Sequence, residues 1–267
     1  MIMIRLDWNL IAAALGESKH KLLCHKVVDT ISSTNDWSIW SCGKDMVPAV
    51  CLAEQQVSGR GRNDRKWMSP GAENIYLSLV WPFAIAAEKN LNGLSLVVGV
   101  VTARVLMSFG VCNVKVKWPN DVLVKDKKIA GVLIETKVNQ SDEMIAVIGI
   151  GVNYALSSLT WLAIDQPCTD VSSSCEEGRL PDRNQLAGVM IKELIRSCEI
   201  FQQSGFSSFA AEWDQYDACR DQEVSIHDSS GVWPGKVIGI NNQCGLRVLR
   251  DNTECVVYAA DVSIRMK

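Results

Sequence analysis

Four cations, Arg60, Arg62, Arg65 and Lys66, fall within seven residues inside the segment Gly59 to Trp67. Such a cluster repels itself unless an anion sits among its members, and Gly59 and Gly61 let backbone N–H groups approach that anion closely. The chemistry this permits is the binding of a phosphate-bearing ligand. Taken alone, the plainer reading of a basic cluster is a solvated charged loop.

Three further segments have the residue types for chemistry. Lys117-Trp118-Pro119-Asn120-Asp121 sets Pro and Asn-Asp at a tight turn between two strands. Lys128 opens an apolar strand that runs through Gly131 and Leu133 to Glu135, where a lone lysine most often guards a sheet edge. In Gly149-Ile150-Gly151-Val152-Asn153, glycines alternate with apolar residues, which strips side chains from one face of a strand and allows close backbone approach.

These segments need a frame. Cys24 to Ile31 reads as a strand, followed by N-cap residues at Ser32 to Asp36 and a helix. Pro48 to Gln56 is a second apolar strand running straight into the basic segment, which is too charged and glycine-rich to be buried or regular. Asn74 to Trp81 alternates as a strand, and Leu91 to Phe109 has helical periodicity. Val114 to Trp118, Asp121 to Val124, Lys128 to Lys137 and Met144 to Val152 are strands whose short connections predict a mainly antiparallel sheet. An irregular stretch follows at 156–180. A long helix then spans Pro181 to Phe201, with Asp182 near its start, and another covers Gly205 to Tyr216. From about residue 220, turn signals at Asp228-Ser229-Ser230-Gly231, Asn241-Asn242 and Asp251-Asn252 separate short strands, the pattern of a small β-barrel that must lean on the main domain.

The chain has 267 residues, 48% of them hydrophobic, and a formal net charge of -3. That balance argues against a nucleic-acid binder, since counterion release needs a basic face. The apolar stretch from Leu10 to Leu15 reads as a short amphipathic helix, too short to span a bilayer and without a cleavage site after it. No C-x-x-C pair occurs among the ten cysteines, which read as reduced thiols in a cytoplasmic protein. His20, Cys24 and His25 match no zinc spacing.

In this order, and together with Ser33-Thr34-Asn35 and Ala53-Glu54-Gln55-Gln56 upstream, the four segments resemble the catalytic domain of biotin protein ligases over about residues 25 to 267. The resemblance implies a mixed α/β (α+β) fold like that of class II aminoacyl-tRNA synthetases. A catalytic domain over 1–219 would be followed by an SH3-like barrel over 220–267. It implies an ATP-dependent ligase that makes biotinyl-5'-AMP and passes biotin to a lysine of a biotin carboxyl carrier protein, with Mg2+ accompanying ATP. Lipoate or octanoate ligases of the same fold are the nearest alternative, and a non-catalytic biotin sensor is a rival of another class.

By the same resemblance, Ser33, Thr34, Asn35 and Gln56, with Gly59 and Arg60, face the ureido ring of biotin. Gly131, Leu133, Gly149 and Gly151 line the space beneath the ring and valeryl chain. Arg62, Arg65, Trp67, Asn120, Asn153 and Arg265 lie on the nucleotide side. Lys128 reaches both the biotin carboxylate and the α-phosphate; with Arg60 and Asp121 it forms the catalytic group, and Asp121 or bulk water takes the acceptor-lysine proton. Asp64 stands where many family members have glycine, a departure bearing on loop geometry. Some family members carry a DNA-binding domain ahead of the catalytic one. With about 23 residues before the first strand, such a role is not expected here. The strand Val114 to Lys117 could serve as the edge of a homodimer, an intramolecular partner being the alternative.

Overall fold

The computed structural model describes residues 4–42, 47–63, 65–86, 91–138, 143–176, 180–229, 231–258 and 263–266. Asp64 lies outside them. The strands β1 (Cys24–Ile31), β2 (Ala49–Gln56), β3 (Asn74–Ala86), β4 (Val114–Lys117), β5 (Asp121–Val124), β6 (Lys127–Val138) and β7 (Glu143–Asn153) form one sheet, in the order β1-β2-β3-β7-β6-β5-β4. The β1–β2 pair is parallel and the other five pairs are antiparallel. The mainly antiparallel sheet expected from the short connections is therefore present, with one parallel unit at its β1 edge.

The helices are α1 (Trp8–Leu15), α2 (Thr34–Cys42), α3 (Leu94–Ser108), α4 (Ser158–Ala163), α5 (Val171–Ser174), α6 (Arg183–Ser204) and α7 (Ala210–Tyr216). Asp182 caps α6, its carboxylate accepting from the Gln185 N–H at 2.8 Å, and Asp7 caps α1 in the same way through Asn9 and Leu10. Eleven of the fifteen residues of α3 are buried, as a largely apolar helix must be, and it packs between α6 and the strands β4 and β6. Two short capped helices, α4 and α5, occupy the stretch read as irregular, because Ser157 and Asp170 each satisfy the first free N–H groups of a single turn. The helix expected from Gly205 opens as a 3-10 turn over Gly205–Phe209 and becomes α7.

The main core lies on the α3 and α6 side of the sheet, around Leu52, Leu77, Leu79 and Ile148. On the opposite face, Trp37 and Ile39 of α2 pack on Ala49, Val80, Ile145 and Val147. Beyond α2 that face is open, and it forms the floor of a cleft. A buried ion pair ties the N-terminal segment to the sheet: Arg183 Nη2 sits 2.7 Å from Glu54 Oε1, which also accepts from the Leu6 N–H.

The C-terminal strands β8 (Glu223–Asp228), β9 (Gly231–Ile240), β10 (Leu246–Arg250), β11 (Thr253–Val257) and β12 (Ser263–Met266) pair antiparallel in the order β11-β10-β9-β8-β12. Asp251 and Asn252 both take positive φ between β10 and β11, the backbone that a two-residue hairpin requires. Among the described residues β11 and β12 are not paired, so the sheet is open where a closed barrel was expected. It leans on the main domain through Trp118, whose buried indole N–H donates to the Cys244 carbonyl at 3.1 Å.

The nine cysteines whose side chains are described are free thiols. His25 stacks on Trp8 with ring centroids 3.9 Å apart, which accounts for it as a packing residue. Among the described residues no helix is long and apolar enough to cross a membrane.

Candidate active site

Strand register builds the floor of the cleft. Tyr76 pairs with Gly151, Gly151 with Gly131 and Gly131 with Asp121, while in the next row Ser78 pairs with Gly149 and Gly149 with Leu133. Residues of one row share a face of the sheet, so three glycines sit together and leave a depression. The cleft above it has a volume of about 1430 Å³. That exceeds the ~300–1,000 Å³ typical of a site for one small molecule and suits two substrates side by side.

At one end of the floor is a polar network whose inner members, Ser33, Thr34, Asn35, Ser69 and Ser78, are buried. Ser33 Oγ accepts from the Asp36 N–H at the start of α2. The Thr34 N–H donates to Gln56 Oε1 at 2.9 Å, and Gln56 Nε2 donates to Ser69 Oγ at 3.1 Å. The Ser78 hydroxyl lies 2.7 Å from Thr34 Oγ1 and 2.5 Å from Asn35 Oδ1. Asn35 Nδ2 donates to Glu135 at 2.7 Å, and Arg60 donates both to Asp36 at 2.6 Å and to Glu135 at 3.1 Å. Burial works against the Arg60 charge, but the two carboxylates outweigh it and raise the guanidinium pKa. Asn35 fills the space over Gly149, where a Cβ would come 2.4 Å from its Oδ1.

The basic segment carries no helix or strand among the described residues, in line with the expectation, but its two arms are pinned together like a hairpin. Arg60 and Lys66 are bridged antiparallel, the Gly61 N–H donates to the Arg65 carbonyl at 2.6 Å, and Trp67 N–H donates to the Gly59 carbonyl at 2.9 Å. Gly59 lies outside the cleft wall; a Cβ there would meet the Trp67 carbonyl at 2.7 Å, so its smallness serves hairpin closure. The hairpin lowers the Trp67 indole onto the glycine floor, where a Cβ at Gly151 would lie 2.4 Å and one at Gly131 2.9 Å from its ring. Among the described residues the buried indole N–H has no hydrogen-bond partner. Arg62 and Arg65 flank the cleft. Burial first, and Arg65 second, lower the Arg62 pKa while Asp121 opposes them, so an anion bound here would relieve the strain on its charge.

At the centre, Lys128 Nζ is 2.7 Å from Asp121 Oδ1 and 5.0 Å from the Trp67 ring centroid. Asn120 is pinned to β6: its Nδ2 donates to the Val132 carbonyl at 2.7 Å and its own carbonyl accepts from the Val132 N–H at 2.9 Å. Asn153, 4% exposed, donates to the Thr169 carbonyl at 3.0 Å. Arg265 reaches the rim from β12. Every candidate named from the sequence except Gly59 thus lines one cleft.

The sequence reading missed several neighbours. Asp36 and Ser78 carried no motif, although Ser78 alternates onto the site face from Asn74. Glu135 lies two residues past Leu133 on the same face of β6 as Gly131, a signal that was there to use. The stretch 163–168 lines the cleft although it was read only as irregular.

The Biotin/lipoate A/B protein ligase family model matches residues 27–153. The bifunctional ligase/repressor BirA of Escherichia coli (strain K12) is 34% identical over 239 residues, which cover 90% of this chain and 73% of that protein. The chain belongs to the biotin protein ligase family. The biotin--[acetyl-CoA-carboxylase] ligase of Paracoccus denitrificans is 25% identical over 214 residues, covering 80% of this chain and 89% of that one. The biotin protein ligase from Aquifex aeolicus, solved in complex with biotin and ATP, superposes with a TM-score of 0.73 at 24% identity, over 92% of this chain and 99% of that one. That likeness shows the mixed α/β fold with a mostly antiparallel sheet. The stretch matched to the biotin/lipoate ligase family contains the hairpin, the glycine floor and Lys128, whereas Arg265 and 163–168 lie beyond it.

Proposed function

We propose that this family member is an ATP-dependent biotin ligase that forms biotinyl-5'-AMP and transfers the biotin to a lysine of a biotin carboxyl carrier protein. The observation that carries this reading is the sequence of environments along one cleft: paired polar groups at Thr34, Asn35 and Gln56, then a glycine floor, then Lys128 among arginines. A bicyclic urea with an apolar tail ending in a carboxylate has the same order of polar, apolar and anionic parts. These groups pair with one another and keep spare donors and acceptors for a ligand, which favours a ureido ring, able to use them, over a dithiolane, which cannot.

In the first step a biotin carboxylate oxygen attacks the α-phosphorus of ATP and pyrophosphate leaves. Two anions must meet, a repulsion of ~4 kcal/mol for unit charges ~4 Å apart at an effective dielectric of 20. Lys128, held by Asp121, lies between the two parts of the cleft and offsets that repulsion, and holding both substrates in line contributes further. Arg62 and Arg65 take the phosphates, Trp67 and Asn153 take the adenine side, and Arg265 closes the rim. In the second step the acceptor-lysine amine attacks the acyl carbon, a C–N bond forms and AMP departs with the former carboxylate oxygen.

We assign Mg2+ to the nucleotide rather than to a resident site. Among the described residues no group of three or more His, Cys, Asp or Glu could hold a metal ion, and magnesium is commonly bound through substrate phosphates. We read 1–219 as the catalytic domain and 220–267 as an SH3-like domain. The reaction's use of ATP fits the cytoplasm. A homodimer through β4 would have to accommodate the Ala218 N–H, which already donates to the Val116 carbonyl on that edge.

Biotin-dependent exchange of labelled pyrophosphate into ATP tests the first half-reaction. Exchange with biotin and none with lipoate supports the reading; exchange driven by lipoate alone would reassign the substrate.

A further inference from the structure

We infer that Glu135 and Ser78 are positioning residues that clamp the Asn35 amide in one orientation and so set recognition of the polar ring. The inference rests on the biotin reading above and extends it to two residues to which the sequence reading assigned no role.

Asn35 carries a donor end and an acceptor end on one planar group, so its usefulness to a ligand depends on which end points where. Glu135 is an acceptor-only partner when ionised, and it lies 2.7 Å from Asn35 Nδ2. A flipped amide would set Oδ1 against that carboxylate. On the other side the Ser78 hydroxyl, 2.5 Å from Oδ1, donates to it. The amide rests on Gly149, where a Cβ would come 2.4 Å from Oδ1, so it cannot retreat into the sheet. Arg60, 3.1 Å from Glu135 and 2.6 Å from Asp36, balances the charge that the clamp requires. Each amide end has spent one hydrogen bond, which leaves one Nδ2 hydrogen and one Oδ1 lone pair for a ligand. A cyclic urea, with adjacent N–H donor and carbonyl acceptor, matches that pair.

Glu135→Gln is isosteric but can present its own N–H to the amide, so the orientation is no longer dictated. The test measures biotin-dependent pyrophosphate exchange on the intact chain, with the KM for biotin and for ATP determined separately. Loss of one charge-assisted hydrogen bond predicts a rise in biotin KM of about tenfold or more, with ATP KM and kcat at saturating biotin within about twofold. Ser78→Ala, acting on the other end of the amide, gives the same split. In an Asn35→Ala background, Glu135→Gln raises the biotin KM less than it does in wild type, the remainder coming from its contact with Arg60. Unchanged biotin KM in both single variants, or equal effects on biotin and ATP, overturns the clamp. A wild-type protein without biotin-dependent exchange removes the functional reading and the clamp with it, whereas an active wild type with indifferent variants removes the clamp alone.

Discussion

Lys128 Nζ stands 2.7 Å from Asp121 Oδ1, the lysine side chain 15% exposed and the aspartate 24%. Register explains the meeting, since Asp121 pairs with Gly131, three residues along β6 from Lys128, and Gly131 has no side chain to come between them. Replacing the lysine by an uncharged residue of similar length removes the cation that the proposed mechanism sets between the two substrates. Lys128→Met should lower kcat/KM for adenylate formation by roughly 10²–10³-fold, the equivalent of a ~4 kcal/mol charge interaction. Quenched-flow detection of the adenylate measures it, and a variant within tenfold of wild type would contradict the assigned role.

The glycines divide the labour along the floor. Gly149→Ala drives a methyl into Asn35, whereas Gly151→Ala drives one into the Trp67 indole. Each substitution should cost about 1–3 kcal/mol of stability from overpacking. Gly149→Ala should weaken biotin binding alone, whereas Gly151→Ala, under the proposed biotin tail and beneath Trp67, should weaken the binding of both biotin and nucleotide. Calorimetric titration of each ligand separates the two, and matching losses for both ligands in both variants would show that the floor is not so divided.

Burial first, and Arg65 second, disfavour the Arg62 cation while Asp121 opposes them, so a bound anion such as the proposed adenylate would stabilise its charge. Arg62→Gly should raise the release of biotinyl-adenylate into solution under single-turnover conditions, by about tenfold or more for one charge-assisted contact. Wild-type retention by that variant would remove Arg62 from the phosphate contacts.

Far from the chemistry, Arg183 and Glu54 form a pair with side chains 2% and 8% exposed. Arg183→Met leaves the Glu54 carboxylate buried without its cation and should cost about 3–5 kcal/mol in urea denaturation. A loss below about 1 kcal/mol, the range of surface pairs, would mean that the pair is effectively solvated.

Much of this site was legible in the sequence because its floor and junction are written in local pattern. Glycines alternating with apolar residues at 149–153 declare a strand stripped on one face, and Asn-Asp after Pro119 declares a turn whose exit places Asp121 on β5. What local pattern does not carry is the pairing between distant strands. Ser78 faces Asn35 and Glu135 faces Arg60 only because β3, β7 and β6 lie side by side, and neither residue stands out among its chain neighbours. The lack of regular structure in the basic segment was legible in its charges and glycines, but the backbone bonds that pin it, such as Trp67 to Gly59, were not. The capped turns α4 and α5 were lost among serines, which favour caps and loops alike.

The central claim is tested most directly by incubating the purified protein with a biotin-acceptor domain, ATP, magnesium and either biotin or lipoate, and weighing the acceptor by mass spectrometry. The account predicts that the mass of one biotinyl group appears on a single lysine with biotin and that nothing is added with lipoate. Lipoyl addition, or biotin bound without transfer, would contradict it.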